Sequence, residues 1–280
     1  MKIGLHSWVL ETRYPLNDAM PRAAALGYEA YEVDIGNFGN TGLGLQILPD
    51  RLQEPQKQAI KDAKDRAGIP ICSLCLGALW HYPISSGDPV LRNRGVEITI
   101  ATIHLAHELG ADCVLLPVDH PKELRAQDAW RHTVTSLEQC LPEAERAHVV
   151  LGLENVCSAF LGSAADLARM VDEMSSPWCR VYYDVGNAAW LGYDPAADIK
   201  FLGNRLIRLH FKDWSTLQSV GDSKTISVGQ KGVVDFPAVA EAIKDVNYDS
   251  YIIVEVPTLD QDADQVARDN LKAIRSLLEG

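Results

Sequence analysis

Several things the sequence lacks narrow its class before any motif is considered. No apolar run approaches the ~18 residues of a membrane span, so no membrane partner is expected. Positive charge is in deficit: 26 Lys and Arg stand against 38 Asp and Glu, a formal net charge of −12. A field of that sign repels phosphate backbones, and no local basic patch offsets it, which argues against a nucleic-acid partner. Anionic small molecules stay admissible, because one metal ion or lysine reverses the sign locally. The opening MKIGLHSWVL has no basic segment, long apolar core or small-residue cleavage site. It reads as a first strand, and the protein as cytoplasmic. The six cysteines (Cys72, Cys75, Cys113, Cys140, Cys157, Cys179) fall mostly inside predicted elements and read as buried, reduced thiols. Cys72-Ser-Leu-Cys75 has redox spacing but lies within a predicted strand instead of opening a helix, so no redox role is assigned. Linkers, low-complexity tracts and internal boundaries are missing too, and residues 1–280 read as a single domain.

What is present is a strict alternation. Apolar, β-branched runs predict strands at Lys2–Ser7, Ala30–Ile35, Ile69–Gly77, Cys113–Pro117, Val149–Asn155, Arg180–Val185, Leu206–Lys212 and Tyr251–Val256. Helical periodicity fills the intervals near 16–26, 54–67, 89–109, 128–147, 163–174, 195–203, 236–247 and 261–279. Eight of each in alternation is the pattern of an α/β chain closed into a (β/α)8 TIM barrel. Local signals agree. Ser163 and Asp166 form a capping-box pattern ahead of Leu167, Met170, Val171 and Met174, spaced i, i+3, i+4, i+7. Asp88-Pro89 opens the long helix that Gly110 closes. Pro21 fits a first helical turn if Asn17 or Asp18 caps it. Two long βα segments, Gly36–Gln53 and Leu79–Asp88, are expected on the functional face.

Four of the predicted strands end in side chains of metal-binding type. Glu154 ends one and Asp184 another, where CRVYYD gives way to VGN; His210 lies in the seventh and Glu255 ends the last. In a barrel of parallel strands the C-terminal ends form the active face, so consecutive strands converge these groups on one sector. Three carboxylates and one imidazole make a hard, oxygen-rich set. It suits one divalent ion, Mn²⁺, Mg²⁺ or Co²⁺, and is compatible with catalytic Zn²⁺.

The segments GLEN (Gly152–Asn155), YYDVGN (Tyr182–Asn187), RLHFKD (Arg208–Asp213) and IIVEV (Ile252–Val256) resemble the xylose-isomerase-like barrel superfamily of sugar isomerases and epimerases. The resemblance implies that Glu154, Asp184, His210 and Glu255 bind the metal and that Glu154 and Glu255 are the catalytic acid and base. Asp184-Val-Gly-Asn187, together with Gly229-Gln-Lys-Gly-Val-Val-Asp-Phe236, resembles L-ribulose-5-phosphate 3-epimerases more closely than tagatose-type enzymes, which carry histidine at the position of Asn187. Two departures stand beside it. The basic pair expected after strand three is replaced around Ala78–His81, and the tagatose-type arginine has no counterpart in Trp214–Lys224. Phosphorylation of the substrate therefore stays open.

The implied reaction is C3 epimerisation of a ketose or ketose phosphate through a cis-enediolate. Ketose–aldose isomerisation, hydroxypyruvate-type isomerisation and inosose dehydration use the same site. More remote alternatives are an AP endonuclease-like activity, which needs further histidines, and a non-catalytic sugar-binding barrel. The partner is then a small sugar or sugar phosphate, and the resemblance implies a homo-oligomer, dimer or tetramer.

Further substrate contacts are expected from Asn187, Lys212, Glu32, His6, Trp80, His81 and Trp214. Each has a plainer reading beside it. Strand parity puts Arg208, His210 and Lys212 on one face, where Lys212 reaches substrate or pairs with Asp213 or Glu255. Asn187 contacts a substrate oxygen or caps a turn, and Glu32 contacts substrate or joins a barrel-lining ion pair. The rim aromatics stack on a sugar or pack in the core. Ser85–Ser86 and the Lys231 loop are candidate phosphate cradles.

Overall fold

A computed structural model describes residues 1–37, 44–258 and 261–279. Its strands are β1 (Lys2–His6), β2 (Ala30–Asp34), β3 (Ile71–Cys75), β4 (Cys113–Pro117), β5 (Val150–Glu154), β6 (Cys179–Asp184), β7 (Leu206–Phe211), β8 (Asp213–Trp214), β9 (Thr225–Ile226) and β10 (Tyr251–Val254). Its α-helices are α1 (Trp8–Glu11), α2 (Leu16–Leu26), α3 (Glu54–Ala67), α4 (Pro89–Leu109), α5 (Ala126–Ala147), α6 (Ala164–Met174), α7 (Val185–Trp190), α8 (Pro195–Leu202), α9 (Phe236–Asp245) and α10 (Ala263–Glu279). Eight strands close into a parallel barrel in the order β1-β10-β7-β6-β5-β4-β3-β2, while β8 and β9 form a separate antiparallel ribbon after β7. This is the (β/α)8 barrel expected from the alternation. The Gly36–Gln53 segment, expected on the functional face, has residues 38–43 outside the described part.

Barrel strands are buried on both sides, which is why they read as near-continuous apolar runs; β2, β3 and β4 are buried throughout. Outside, Leu5, Val33, Leu74, Val114, Leu151, Val181, Leu209 and Val254 pack under the helices in the main core. Inside, small side chains (Ala30, Cys72, Cys75, Cys113) leave room for Tyr182 and Ile253. A Cβ at Gly4 would lie 2.4 Å from Ile253 Cδ1, so the Ile253 side chain fills the space that glycine leaves in the lumen. Arg208 spans the lumen toward the N-terminal ends. Its guanidinium bonds Asp112 and Ser250 and lies 4.7 Å from the Tyr251 ring centroid.

Helix signals hold with one correction. Ser163 Oγ accepts the Asp166 N–H, Asp88 accepts from Val90 N–H, and Gly110 ends α4 at φ 77°. In α2, however, the N-cap is Pro15, and Pro21 sits in the helix interior instead of the first turns. The Asn17 carbonyl that Pro21 cannot serve accepts a 2.8 Å bond from the Arg66 guanidinium. Tertiary contact thus overrides the local capping expectation. Strand three is shorter than its apolar run because Gly77–Trp80 turns into a 3-10 helix. The Cys72–Cys75 pair lies in β3 as expected; all six cysteines are free, and all but Cys157 are buried.

Candidate functional site

Register brings the site together. Asp184 pairs with His210 across β6 and β7, His210 with Ile253 across β7 and β10, and Glu154 with Pro117 at the end of β5. Glu154, Asp184, His210 and Glu255 each contribute a ligand-type atom, and these atoms all lie within 4.8 Å of one another. All four residues are buried. His210 Nδ1 faces the acids, 3.0 Å from Glu154 Oε1, 3.4 Å from Glu255 Oε2 and 3.8 Å from Asp184 Oδ2.

Each acid is positioned locally. The chain turns straight from β6 into α7, and Asp184 caps that helix, its Oδ1 accepting the Asn187 N–H at 2.8 Å. Its other oxygen, Oδ2, is buried and lies 2.8 Å from the Lys212 ammonium. Asn155, next to Glu154, clamps β5 to β6: its side chain donates to the Asp184 carbonyl and accepts the Asp184 N–H, both at 2.8 Å. Glu255 follows β10 directly, its N–H donating to the Phe211 carbonyl.

Beneath this group, Glu32 Oε1 lies 2.6 Å from His210 Nε2. The Glu32 Oε2 atom accepts from Tyr182 Oη at 2.6 Å and from Ser73 Oγ. His6 accepts the Trp8 N–H on Nδ1, which leaves its N–H on Nε2, 3.8 Å from Glu32. Burial pushes the His6 ring down to about 4, so it is neutral. Burial likewise raises Glu154 to about 7 and raises Asp184. Burial opposes ionisation of Glu255 as well, yet Lys212 and His210 hold it well below the usual carboxylate range.

The residues named from the sequence thus separate. Glu154, Asn187, Lys212, Glu255 and Trp80 line a cavity of about 170 Å³ at this end of the barrel, with Trp8, Asn37 and Cys157. Lys212 Nζ pairs with Glu255 Oε2 at 2.5 Å and Asp184 Oδ2 at 2.8 Å; of the two acids considered for it, Glu255 is the partner and Asp213 is not. The Asn187 side chain, part of this lining, is tied to Asn155 O and the Cys157 thiol. Glu32 and His6 are fully buried below it and do not line it. Exposed His81 also lies outside the lining. Trp214 stacks on Trp190 at 5.0 Å, again outside the lining. Ser85 Oγ donates to Asp119 O, tying the loop to the segment after β4, and Ser86 Oγ accepts the Asp88 N–H within the loop itself. Sequence reasoning missed Asn155 and Cys157. The asparagine was visible in GLEN, adjoining Glu154; the thiol gave no signal beyond lying three residues after it.

Over residues 20–277 the sequence matches the profile described as xylose isomerase-like TIM barrel. The chain belongs to that family. The chain is similar to the putative L-ribulose-5-phosphate 3-epimerase SgbU of Escherichia coli K12, 30% identical over 211 residues, 72% of each chain. Among solved structures, a D-psicose 3-epimerase crystallised with D-fructose superposes with TM-score 0.81 at 18% identity, covering 100% of both chains. An IOLI protein with a bound zinc atom superposes at 0.82 and 14% identity, covering 100% of this chain and 98% of that one. At such identities these two show the fold of this xylose isomerase-like barrel alone.

The donor set fits a divalent cation. It offers three carboxylates and one imidazole nitrogen whose ligand-type atoms converge within a buried site, a hard, oxygen-rich set. With Nε2 held by Glu32, Nδ1 of His210 faces the acids; against burial, the surrounding carboxylates hold the ion-free imidazolium well above its ordinary range, and a cation taken up there would replace the Nδ1 proton. Among the described residues, no helix is long and apolar enough to cross a membrane.

Proposed function

We propose that the chain is a divalent-metal-dependent epimerase that inverts C3 of a ketose or ketose phosphate. The observation that carries this reading is the convergence of two glutamates, an aspartate and a histidine at one end of the barrel. The names of the curated relatives, L-ribulose-5-phosphate 3-epimerases, support it. Glu154, Asp184, His210 and Glu255 would hold the ion. When bound, a cation such as Mn²⁺, Mg²⁺ or Co²⁺ supplies a Lewis acid that stabilises negative charge developing on substrate oxygen.

The chain's own residues do the rest. One of Glu154 and Glu255 removes the C3 proton next to the ketone, giving the cis-enediolate of the sugar. The other returns a proton to the opposite face of C3, which inverts the centre. Trp8 and Trp80 supply apolar walls to the cavity, and Lys212 a cation at its floor.

The test is proton exchange followed by NMR, with metal-loaded protein in D₂O and matched free and phosphorylated ketoses. Deuterium at C3 with appearance of the C3 epimer is the expected result, and the better partner of each pair decides the phosphate question. Exchange between C1 and C2 with aldose formation would replace the epimerase by an isomerase. Glu154→Gln and Glu255→Gln are each expected to lose turnover, and wild-type turnover in either would remove that glutamate from the acid–base pair.

A further inference from the structure

Lys212 holds an unusual position for a lysine. Its side chain is only 10% exposed, and its ammonium contacts two of the four candidate ligands, Asp184 and Glu255, at 2.8 and 2.5 Å. We propose that this ammonium is a resident counter-cation that contests the acids with the metal ion. It supports the fold when no ion is held and yields part of its ion pairing when one enters. The inference rests on the metal-site reading above.

Three observations carry it. First, the placement is built. Lys212 follows β7 on the same face as Arg208 and His210, and Gly186 leaves the space for its stem. A Cβ at Gly186 would stand 2.6 Å from Lys212 Cγ and 2.7 Å from its carbonyl oxygen. Second, the acids need it. Three buried carboxylates converge here, and among the described residues the recorded ion-pair partners of Asp184 and Glu255 are His210 and Lys212. A buried charge stripped of its partner is strongly destabilising. Third, the two cations want the same atoms. Asp184 Oδ2 lies 2.8 Å from Nζ, and Asp184 is also one of the four residues whose ligand-type atoms converge. An ion bound there meets a like charge at close range in a low-dielectric site. Ion uptake is therefore an exchange of one cation's contacts for another's. Lys212 makes the ion-free protein more stable and the metal affinity lower than the acids alone would give.

The experiment compares wild type, Lys212→Met and Lys212→Arg by thermal unfolding without and with saturating Mn²⁺, and by Mn²⁺ titration calorimetry. For Lys212→Met the ion-free Tm should fall by roughly 5 °C or more while Mn²⁺ binds about tenfold tighter, so that Mn²⁺ restores more stability than in wild type. Lys212→Arg keeps the charge and should keep the lower affinity. Should the methionine variant not fold, Lys212→Gln, whose amide can still donate to a carboxylate, gives the same comparison. Equal loss of Tm with and without Mn²⁺, or unchanged or weaker Mn²⁺ affinity, would overturn the proposal and leave the metal site intact. A wild type that binds no ion would overturn both. No sugar enters the measurement, so its outcome is independent of the epimerase reading.

Discussion

His210 and Glu32 are joined by a 2.6 Å contact between Nε2 and Oε1, both side chains completely buried. The carboxylate is itself fixed from the far side by Tyr182 and Ser73. The imidazole therefore has one orientation, with Nδ1 presented to the acids. Glu32→Gln keeps the shape and an acceptor for the imidazole N–H but removes the charge that makes Nδ1 a stronger donor. Metal affinity should drop by roughly 10- to 100-fold with the fold retained, read by calorimetry and circular dichroism. Unchanged affinity would reduce Glu32 to a packing residue.

That pair also marks where the sequence stopped being legible. Strand ends and their order were readable because buried parallel strands leave long apolar runs, and Glu154, Asp184 and Glu255 interrupt or end them. The depth of a residue along the lumen was not. Glu32 precedes Asp34 by two positions on the same face, and parity gives the face but not the layer. In register Glu32 lies beside His6 and Ser73, below the cavity, while Asn37 from the following loop reaches its lining. Trp214 escaped for a different reason. It belongs to a two-residue ribbon with Thr225 and Ile226, whose pairing is too short to leave a periodic trace.

Asp184 has two separable jobs on its two oxygens. Oδ1 caps α7 through Asn187, and Oδ2, paired with Lys212, is the oxygen proposed to bind the ion. Asp184→Asn keeps an oxygen acceptor for the cap, and the Asn155 clamp holds only the backbone of residue 184. The variant should fold normally and lose its bound metal, measured as ion stoichiometry after gel filtration. Retained metal would remove Asp184 from the ligand set.

Away from the candidate metal ligands, Glu11 is a partly buried acid that feels the charge of the fully buried Asp34. Burial, and then the charge of Asp34, raise Glu11 to about 7; burial raises Asp34 to about 7 as well. Because the folded pKa of Glu11 exceeds its ordinary 4.5, the folded state holds the proton more tightly. Its contribution to stability is full below about 4.5 and is lost as pH rises through about 7. Glu11→Gln still offers an acceptor to the Gly44 N–H, which the wild-type carboxylate receives at 2.9 Å. Tm should therefore rise relative to wild type at pH 8 and much less at pH 5. An equal change at both pH values would show that ionisation of Glu11 has no part in it.

Gly186 couples the metal acids to Lys212 through space alone. A methyl there would overlap the Lys212 carbonyl oxygen, a backbone atom that cannot swing aside as a side chain can. Gly186→Ala must push the first turn of α7 away from the end of β7, and Asp184 caps that turn. The cost should be roughly 1–3 kcal/mol of stability, with metal affinity weakened in the same variant because an acid moves. Gly87 supplies the control. Its added Cβ would meet only the flexible end of Leu124 at 3.3 Å, so Gly87→Ala should stay within about 0.5 kcal/mol of wild type and leave metal binding unchanged. Denaturant unfolding and Mn²⁺ titration of the two variants separate the cases. If Gly186→Ala were as mild as Gly87→Ala, the close approach of α7 to Lys212 would not be what aligns Asp184.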